Sequence, residues 1–255
     1  MPLDAHPDGE PCPVCGAATR LLDVVDFNKS CIEAQGQFLE LSGLPIYYVV
    51  CPTCAFAFAP TMWKWDPETF REHVYNDAYE VVDPDYLGVR PDNNAQAVIG
   101  LFPELGAARH LDYGGGNGRL SRTLREAGLD SRSFDPFVEG YDQRPQETFD
   151  LVTAFEVFEH VPSIERLMLD LTALTHDESL VMFSTAISDG AIAENQRLSW
   201  WYASPRNGHI SLYSRNSLAR LAGRYGFYFG SFNDGLHVFW RKAVPAWARH
   251  LIRLG

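Results

Sequence analysis

The sequence predicts an α/β fold: a doubly wound, mostly parallel sheet with an antiparallel hairpin at its C-terminal end, preceded by a small module built on cysteines. Three observations predict it. Apolar, strand-like runs alternate with helix-like stretches from His110 onward, two Cys-Pro-x-Cys pairs lie near the N-terminus, and "HLDYGGGNGRL" places a glycine-rich turn between a strand and a helix. Such alternation is typical of a parallel sheet that is covered by helices on both faces.

Composition and charge disfavour a nucleic-acid-binding protein and a membrane-spanning protein. The chain has 255 residues, is 46% hydrophobic, and carries 21 Lys and Arg against 33 Asp and Glu, a formal net charge of −12. Affinity for nucleic acid depends on Lys and Arg contacts with phosphates, so this charge disfavours a nucleic-acid partner. The N-terminal residues show no basic segment followed by an apolar run, and no stretch approaches the roughly 18 apolar residues of a membrane-spanning helix. We therefore expect a cytoplasmic protein without a membrane span.

The four paired cysteines are Cys12, Cys15, Cys51 and Cys54. Two thiolates separated by two residues can point at one centre, and two such pairs complete a tetrahedral zinc shell. Two disulfides or four free thiols are the alternatives, but disulfides are rare in chains that lack an export signal. A shell of four thiolates leaves no open position, so we expect this Zn²⁺ to be structural.

The chain is expected to form three consecutive segments. They are a zinc ribbon over residues 1–60, a helical bridge or lid over residues 61–104, and the α/β domain over residues 105–255. Short antiparallel strands are predicted for the ribbon from "ATRLLDVVDF" and "QFLELSGLPIYYVV". In the bridge, Asp66 followed by Pro67 predicts a helix start, and Asp92 or Asn93 is the predicted cap of a second helix.

Within the third segment each element follows from its local pattern. The helices carry apolar residues at helical spacing, such as Leu120 and Leu124 in the first and Ile164, Leu167 and Leu171 in the second. The predicted strands are "RHLDY", "SRSFDP", "TFDLVTAFEV" and "ESLVMFSTA"; the helices are "NGRLSRTLREAG", "PSIERLMLDLTALTH" and "SRNSLARLAGRYG"; the hairpin is "FYFGSFNDGLHVFWRK".

The spacing of the glycines restricts the kind of ligand that this turn can bind. A strand, a glycine-rich turn and a helix together present backbone N–H groups at the carboxyl edge of the sheet, where such folds bind nucleotides. A dinucleotide fingerprint starting at Gly114 needs glycine at position 119, which is Arg119, and a phosphate-binding G-x-x-x-x-G-K is missing. The pattern Asp112-x-Gly114-x-Gly116-x-Gly118 instead resembles the first motif of class I S-adenosylmethionine-dependent methyltransferases, which have a Rossmann-like fold.

The resemblance extends to an acid after the second strand, Asp135, and to "FDLVTAFEVFEHVP". It implies that the acid of the glycine motif receives the cofactor's ammonium group and that Asp135 binds the ribose hydroxyls. The implied cofactor-binding residues are Asp112, Gly114, Gly116, Gly118, Asp135, Phe155 and Glu156. Two plainer roles remain open, since Asp112 can cap the helix and Asp135 can simply end a strand before Pro136. The chain departs from the family between Asp135 and Asp150, where 136–149 is too short for the usual helix and third strand; Tyr141 and Asp142 are the candidate replacements near adenine.

The four-cysteine module followed by this core is similar to zinc-containing bacterial sugar C-methyltransferases. In that group a Glu-His pair after the fourth strand has the general-base role, which the resemblance assigns to Glu159 and His160. The pair can instead tie the turn to the sheet. His209 lies in the long connection "WWYASPRNGHISLYSRNSL", a usual place for substrate-facing residues. In the same connection, Trp200, Trp201, Tyr202, Arg206 and Asn207 offer stacking faces and a cationic group suited to a sugar or a nucleotide diphosphate.

These features predict an S-adenosylmethionine-dependent methyltransferase that acts on a small-molecule or glycan-linked acceptor, such as a sugar or a nucleotide-sugar. One alternative is an RNA-modifying methyltransferase whose zinc ribbon binds nucleic acid. Another is a non-catalytic protein that binds the cofactor and a protein partner. Binding that vanishes at modest salt would indicate the first alternative. Cofactor binding without turnover would indicate the second. The accepting atom and the oligomeric state do not follow from the sequence.

Overall fold

The computed structural model describes residues 9–193 and 196–252, which contain ten strands and seven α-helices. The strands are β1 (Arg20–Asp26), β2 (Pro45–Val50), β3 (Ala57–Phe58), β4 (Arg109–Tyr113), β5 (Asp130–Phe134), β6 (Phe149–Ala154), β7 (Thr175–Ser184), β8 (Ser211–Leu212), β9 (Tyr228–Ser231) and β10 (Leu236–Trp240). The helices are α1 (Pro60–Trp63), α2 (Pro67–His73), α3 (Tyr79–Val82), α4 (Val89–Leu101), α5 (Arg119–Glu126), α6 (Ile164–Ala173) and α7 (Arg215–Arg224). Short 3-10 turns cover Cys31–Gln35, Pro205–Asn207 and Ala246–Ala248.

The larger sheet has six strands in the order β5-β4-β6-β7-β10-β9. The first four are parallel, and β10 pairs antiparallel with both β7 and β9. The predicted α/β class, the mostly parallel sheet and the terminal antiparallel hairpin are therefore confirmed. Apolar residues from the strands, from α4 and α5 and from the segments that follow α4 and β10 form one buried cluster: Ala95, Val98, Phe102, Leu105, Leu120, Leu124, Leu151, Leu180, Met182, Val238, Val244 and Ala248.

The smaller sheet is antiparallel, with strand order β1-β2-β3-β8. β1 and β2 lie within the two segments that were predicted to form antiparallel strands, whereas β3 was not predicted. The fourth, β8, comes from the far end of the chain and pairs Leu212 with Ala57 and Ser211 with Phe58. The sequence did not indicate this strand, because two residues are too few to show a periodic pattern.

By compactness the chain divides into two units. The first comprises the described residues up to Pro84 together with Glu159–Glu165 and Ala186–Leu221, and the second comprises Asp85–Phe158, Arg166–Thr185 and the described residues from Ala222 onward. This division groups segments that are distant in sequence. The three consecutive segments expected from the sequence, residues 1–60, 61–104 and 105–255, stay a prediction.

The two helix starts expected after residue 61 have different outcomes. α2 begins as predicted, because Asp66 Oδ1 accepts a hydrogen bond from the Thr69 N–H at 2.8 Å. α4 begins earlier than predicted, at Val89 with Gly88 as its N-cap, so neither Asp92 nor Asn93 caps it. Asp92 instead forms an ion pair with Arg119 of α5, at 2.6 Å. Of the helices in the described ranges, the longest has 13 residues, and none is both long and apolar enough to cross a membrane.

Candidate active site

The glycine turn follows β4 at the carboxyl edge of the parallel strands. Gly114, Gly116 and Gly118 have φ angles of +71°, +53° and +69°, which favour glycine over residues with a Cβ. A Cβ on Gly114 would lie 2.5 Å from Val157 Cγ2, so the backbone packs too closely there for any side chain. By contrast, no described atom lies within 4 Å of a Cβ placed on Gly116. The turn is therefore packed on one side and open at Gly116.

Asp135 contacts the glycine turn directly. Its Oδ2 accepts a hydrogen bond from the Gly116 N–H at 3.0 Å, and its Oδ1 accepts one from the Phe137 N–H at 2.9 Å. Burial raises the pKa of the Asp135 carboxyl group. The acid thus does more than end a strand, because it joins the loop after β5 to the turn after β4.

Asp112 is buried at the end of β4, with 3% of its surface exposed. Its Oδ1 accepts a hydrogen bond from Thr153 Oγ1 at 2.9 Å. Burial, together with the smaller effect of the negative charge on Asp135, raises the pKa of Asp112 to about 7. Asp112 does not cap α5, whose N-cap is Gly118 without a side-chain cap, so that alternative is wrong.

Asp112 belongs to a buried network of hydrogen-bonded side chains that was not predicted from the sequence. His110 is fully buried, with Nδ1 2.7 Å from Ser131 Oγ and Nε2 2.9 Å from Thr153 Oγ1. Burial lowers the pKa of His110 to about 3, so the ring is neutral. His110 and Asp112 are two residues apart on β4, and this spacing, which places both side chains on the same face of the sheet, was the available signal.

Phe155 and Glu156 follow β6. Phe155 is partly buried and packs against the apolar cluster of the second unit. Glu156 has a φ angle of +54°, and both its N–H and its carboxylate bond to Ser184 Oγ, at 2.8 and 2.7 Å. The end of β7 therefore holds Glu156 in an unfavourable backbone conformation at the carboxyl edge, where strain is often associated with function.

The three residues expected to be catalytic lie together in the first unit. His160 Nε2 is 3.9 Å from Glu159 Oε1, and the rings of His160 and His209 are 4.9 Å apart in an edge-to-face arrangement. One possible ligand atom from each of the three lies within 4.8 Å of the others, so this group could also hold a metal ion. We name these three residues the Glu-His-His centre.

Tyrosines surround the Glu-His-His centre. The Tyr202 hydroxyl donates to Glu159 Oε1 at 2.6 Å, and the Tyr75 oxygen lies 3.2 Å from His160 Nδ1. His209 Nδ1 is 2.9 Å from the Tyr202 carbonyl oxygen, which can only accept, so Nδ1 carries the proton and Nε2 is the basic nitrogen. The backbone oxygen of Glu159 also accepts from the N–H groups of Ile210 and Ser211, which ties the turn to β8.

Two polar residues of the same connection have structural partners. Arg206 is 6% exposed and donates to the Val74 carbonyl at 2.8 Å and to Asn76 Oδ1 at 3.1 Å. Asn207 is also buried, and its Oδ1 accepts from the Cys31 N–H at 2.9 Å. The guanidinium of Arg206, which the sequence offered as a group for binding a diphosphate, is thus hydrogen-bonded within the fold. Trp201, in contrast, is an exposed large hydrophobic residue.

The four paired cysteines converge within the ribbon. Sγ of Cys12 is 3.6 Å from Sγ of Cys54, Sγ of Cys15 is 3.4 Å from Sγ of Cys51, and all four lie within 4.8 Å of one another. These distances exceed the roughly 2.05 Å of a disulfide, so the disulfide alternative is wrong. Tetrahedral Zn–S bonds of about 2.3 Å require sulfurs about 3.8 Å apart. The cluster therefore fits a zinc ion.

Comparison with known proteins identifies the family. The chain matches the methyltransferase domain family over residues 69–229, more than half of its length. The solved 1,6-didemethyltoxoflavin-N1-methyltransferase of Burkholderia thailandensis, with bound 1,6-didemethyltoxoflavin and S-adenosylhomocysteine, is 16% identical at a TM-score of 0.50, covering 79% of this chain and 96% of that chain. Magnesium protoporphyrin IX methyltransferase of Synechocystis with bound S-adenosylhomocysteine is 14% identical at a TM-score of 0.38, covering 59% of this chain and 80% of that chain. Streptomyces venezuelae DesVI is 15% identical at a TM-score of 0.44, covering 67% of this chain and 98% of that chain.

A search of curated protein sequences gives no match. The matched range, residues 69–229, includes the glycine turn, Asp112 and Asp135. The chain belongs to the methyltransferase domain family and is a class I S-adenosylmethionine-dependent methyltransferase.

Proposed function

We propose that this methyltransferase acts on a small-molecule or glycan-linked acceptor, such as a sugar or a nucleotide-sugar, and that a structural zinc ion holds its ribbon together. The observation that carries the proposal is the Glu-His-His centre. Two imidazoles, a buried carboxylate and two tyrosines lie together there. Such a group can take a proton from a hydroxyl, an amine or an acidic C–H as a methyl group is transferred.

The residues around the glycine turn fit S-adenosylmethionine. The open side of Gly116 leaves room for a ligand to approach the backbone, and Asp135 keeps lone pairs that can accept from ribose hydroxyls. The ammonium group favours the ionised form of Asp112, which then supplies the opposite charge. Phe155 and Glu156 complete the set after β6. When bound, the cofactor supplies an electrophilic methyl group on a sulfonium. The protein's contribution is to hold it in line with the acceptor atom.

His160 is the proposed general base. Its Nδ1 lies 3.2 Å from the hydroxyl oxygen of the exposed Tyr75, so the acceptor's proton reaches Nδ1 either through this hydroxyl or after the acceptor has displaced it, and its Nε2 faces Glu159. Once the ring has taken a proton at Nδ1, the buried carboxylate stabilises the imidazolium. Tyr202 orients that carboxylate, and His209 presents a second basic nitrogen, Nε2.

The net charge and the exposed aromatic rings support the proposed acceptor class. A net charge of −12 disfavours RNA, because RNA binding needs cationic contacts with phosphates. The exposed rings of Tyr75 and Trp201 offer apolar faces of the kind that carbohydrates and other small rings contact. Arg206 does not contribute a phosphate site, because its guanidinium is hydrogen-bonded inside the fold.

The cofactor site is tested by calorimetric titration of the zinc-loaded protein with S-adenosylmethionine and S-adenosylhomocysteine. We expect micromolar binding that is lost in Asp135→Ala. Asp130→Ala is the matched control, because Asp130 begins the same strand at its opposite, amino end and is exposed. Absence of binding by the wild-type protein, or equal binding by both variants, would contradict the proposed site.

The acceptor side is tested by methyl transfer from labelled S-adenosylmethionine to a panel of sugars, nucleotide-sugars, glycans and RNA. With the acceptor found, His160→Ala should lower kcat by about 10²–10⁴-fold, the usual contribution of a general base. His73→Ala is the control, because His73 is an exposed histidine of the same unit. A wild-type kcat in His160→Ala would refute its role as base, and methylation of RNA alone would replace the proposed acceptor class.

A metal ion is the second candidate occupant of the Glu-His-His centre, because its possible ligand atoms converge. Metal analysis distinguishes the two cases. One zinc per chain, unchanged in His209→Ala, would indicate that only the four cysteines bind metal and that the histidines act as bases. A second equivalent that is lost in His209→Ala would assign the centre to a metal.

A further inference from the structure

The segment between β5 and β6 is too short for the element that usually lies beside the adenine. All of residues 135–148 are described, and they contain neither a helix nor a strand. β5 is consequently the last strand on its side of the sheet. The nucleoside end of a bound cofactor therefore has no strand beyond β5 to pack against, and the loop that begins at Asp135 is the segment in a position to take that place.

The loop folds back on the acid that begins it. The Asp135 N–H donates to the Tyr141 carbonyl at 2.9 Å, and the Tyr141 N–H donates to the Val138 carbonyl at 3.0 Å. The Phe137 N–H also donates to the Asp135 carboxylate. These bonds return the chain to the carboxyl end of β5, so that the backbone of Tyr141 lies beside the residue proposed to bind the ribose.

The ring of Tyr141 lies directly on the glycine turn. A Cβ on Gly118 would come within 2.5 Å of Tyr141 Cζ and of its hydroxyl oxygen, so the ring occupies the space that a side chain at position 118 would fill. The ring is only partly buried, which leaves aromatic surface accessible. An aromatic face beside the ribose acid and the glycine turn is suited to stack on a purine.

We infer that Tyr141 is the adenine-contacting residue of this enzyme and that the loop 135–141 replaces the missing third strand as the wall of the nucleoside site. The inference rests on the proposed cofactor site. Asp135 and Tyr141 then act as one structure: the acid binds the ribose, and the backbone bond between the two residues sets the position of the ring. Gly118 is required because its hydrogen atom leaves space for that ring.

The test uses two ligands that share the nucleoside but differ at the other end. S-adenosylhomocysteine carries an amino-acid group, and 5′-methylthioadenosine does not. We expect Tyr141→Ala to weaken both by a similar factor, about tenfold or more, the range for loss of a base-stacking ring. Tyr141→Phe, which keeps the ring, should bind both within about threefold of wild type.

Tyr228→Ala is the matched control, because Tyr228 is an exposed tyrosine of the same unit, stacked on Trp240 at the far edge of the sheet. Thermal unfolding of the ligand-free variants shows whether each one is folded. Unchanged or tighter binding in folded Tyr141→Ala, or an effect on S-adenosylhomocysteine alone, would overturn the inference. If the wild-type protein binds neither ligand, the proposed cofactor site fails; if Asp135→Ala loses binding and Tyr141→Ala does not, only the role of Tyr141 fails.

Discussion

Alanine substitutions in the glycine turn should distinguish glycines that are needed for stability from glycines that are needed for cofactor binding. Gly114 and Gly116 lie two residues apart, and both have positive φ angles, +71° and +53°. They differ in their surroundings. A Cβ on Gly114 would meet Val157 at 2.5 Å, whereas a Cβ on Gly116 would meet no described atom within 4 Å.

The expected losses of stability follow from two costs, that of the left-handed backbone conformation and that of overpacking. The left-handed conformation costs a residue with a Cβ about 1–2 kcal/mol, and this applies to both variants. Overpacking against Val157 adds about 1–3 kcal/mol in Gly114→Ala only. We therefore expect losses in the free energy of unfolding of about 2–5 kcal/mol for Gly114→Ala and about 1–2 kcal/mol for Gly116→Ala. Affinity should show the reverse order, because the Cβ of the Gly116 variant enters the space left for the cofactor.

The assay is urea unfolding, followed by calorimetric titration of the folded protein with S-adenosylhomocysteine. Gly100→Ala is the control: Gly100 lies inside α4 with an ordinary φ angle and open surroundings, so alanine should be neutral or stabilising by up to about 1 kcal/mol. Equal unfolding costs for Gly114→Ala and Gly116→Ala, or wild-type affinity in Gly116→Ala, would refute the reasoning.

Three further predictions concern the ribbon and the buried acid. Cys54→Ser should abolish binding of the proposed zinc ion and cost several kcal/mol of stability, because structural zinc contributes about 10–16 kcal/mol of binding free energy. Cys31→Ser should bind zinc like the wild type, and metal analysis of the two variants tests this. Ala55 has a φ angle of +57° where Gly16, its counterpart after the first cysteine pair, has +76°, so Ala55→Gly should raise the free energy of unfolding by up to about 1 kcal/mol in urea titrations. Burial raises the pKa of Asp112 from 3.8 to about 7, so between these pH values the folded chain holds a proton that the unfolded chain has lost. Its stability should therefore fall as pH rises through this window, by up to about 1.4 kcal/mol per pH unit, and Asp112→Asn should remove that part of the slope in urea titrations at pH 5 and pH 8.

Local patterns predicted much of the fold. The order of strands and helices after His110 and the antiparallel hairpin follow from hydrophobic periodicity, which depends on residues close in sequence. The glycine turn is local for the same reason, since its positive φ angles are set by three residues. The convergence of the two cysteine pairs was also predictable, because a closed zinc shell needs four thiolates and each pair supplies two. The start of α4 was not, because Asp92 pairs with Arg119 of another helix and does not cap its own.

The sequence by itself determined the fold class, the family resemblance and the residue types of the cofactor turn. Only the tertiary structure decided which distant residues meet: β8 joins the ribbon sheet, and Glu159 and His160 meet His209, Tyr202 and Tyr75. It also showed that Arg206 is engaged within the fold and that Tyr141 covers Gly118. The physical reason is that such contacts depend on how the whole chain packs. Residues far apart in sequence leave no periodic signal of their meeting.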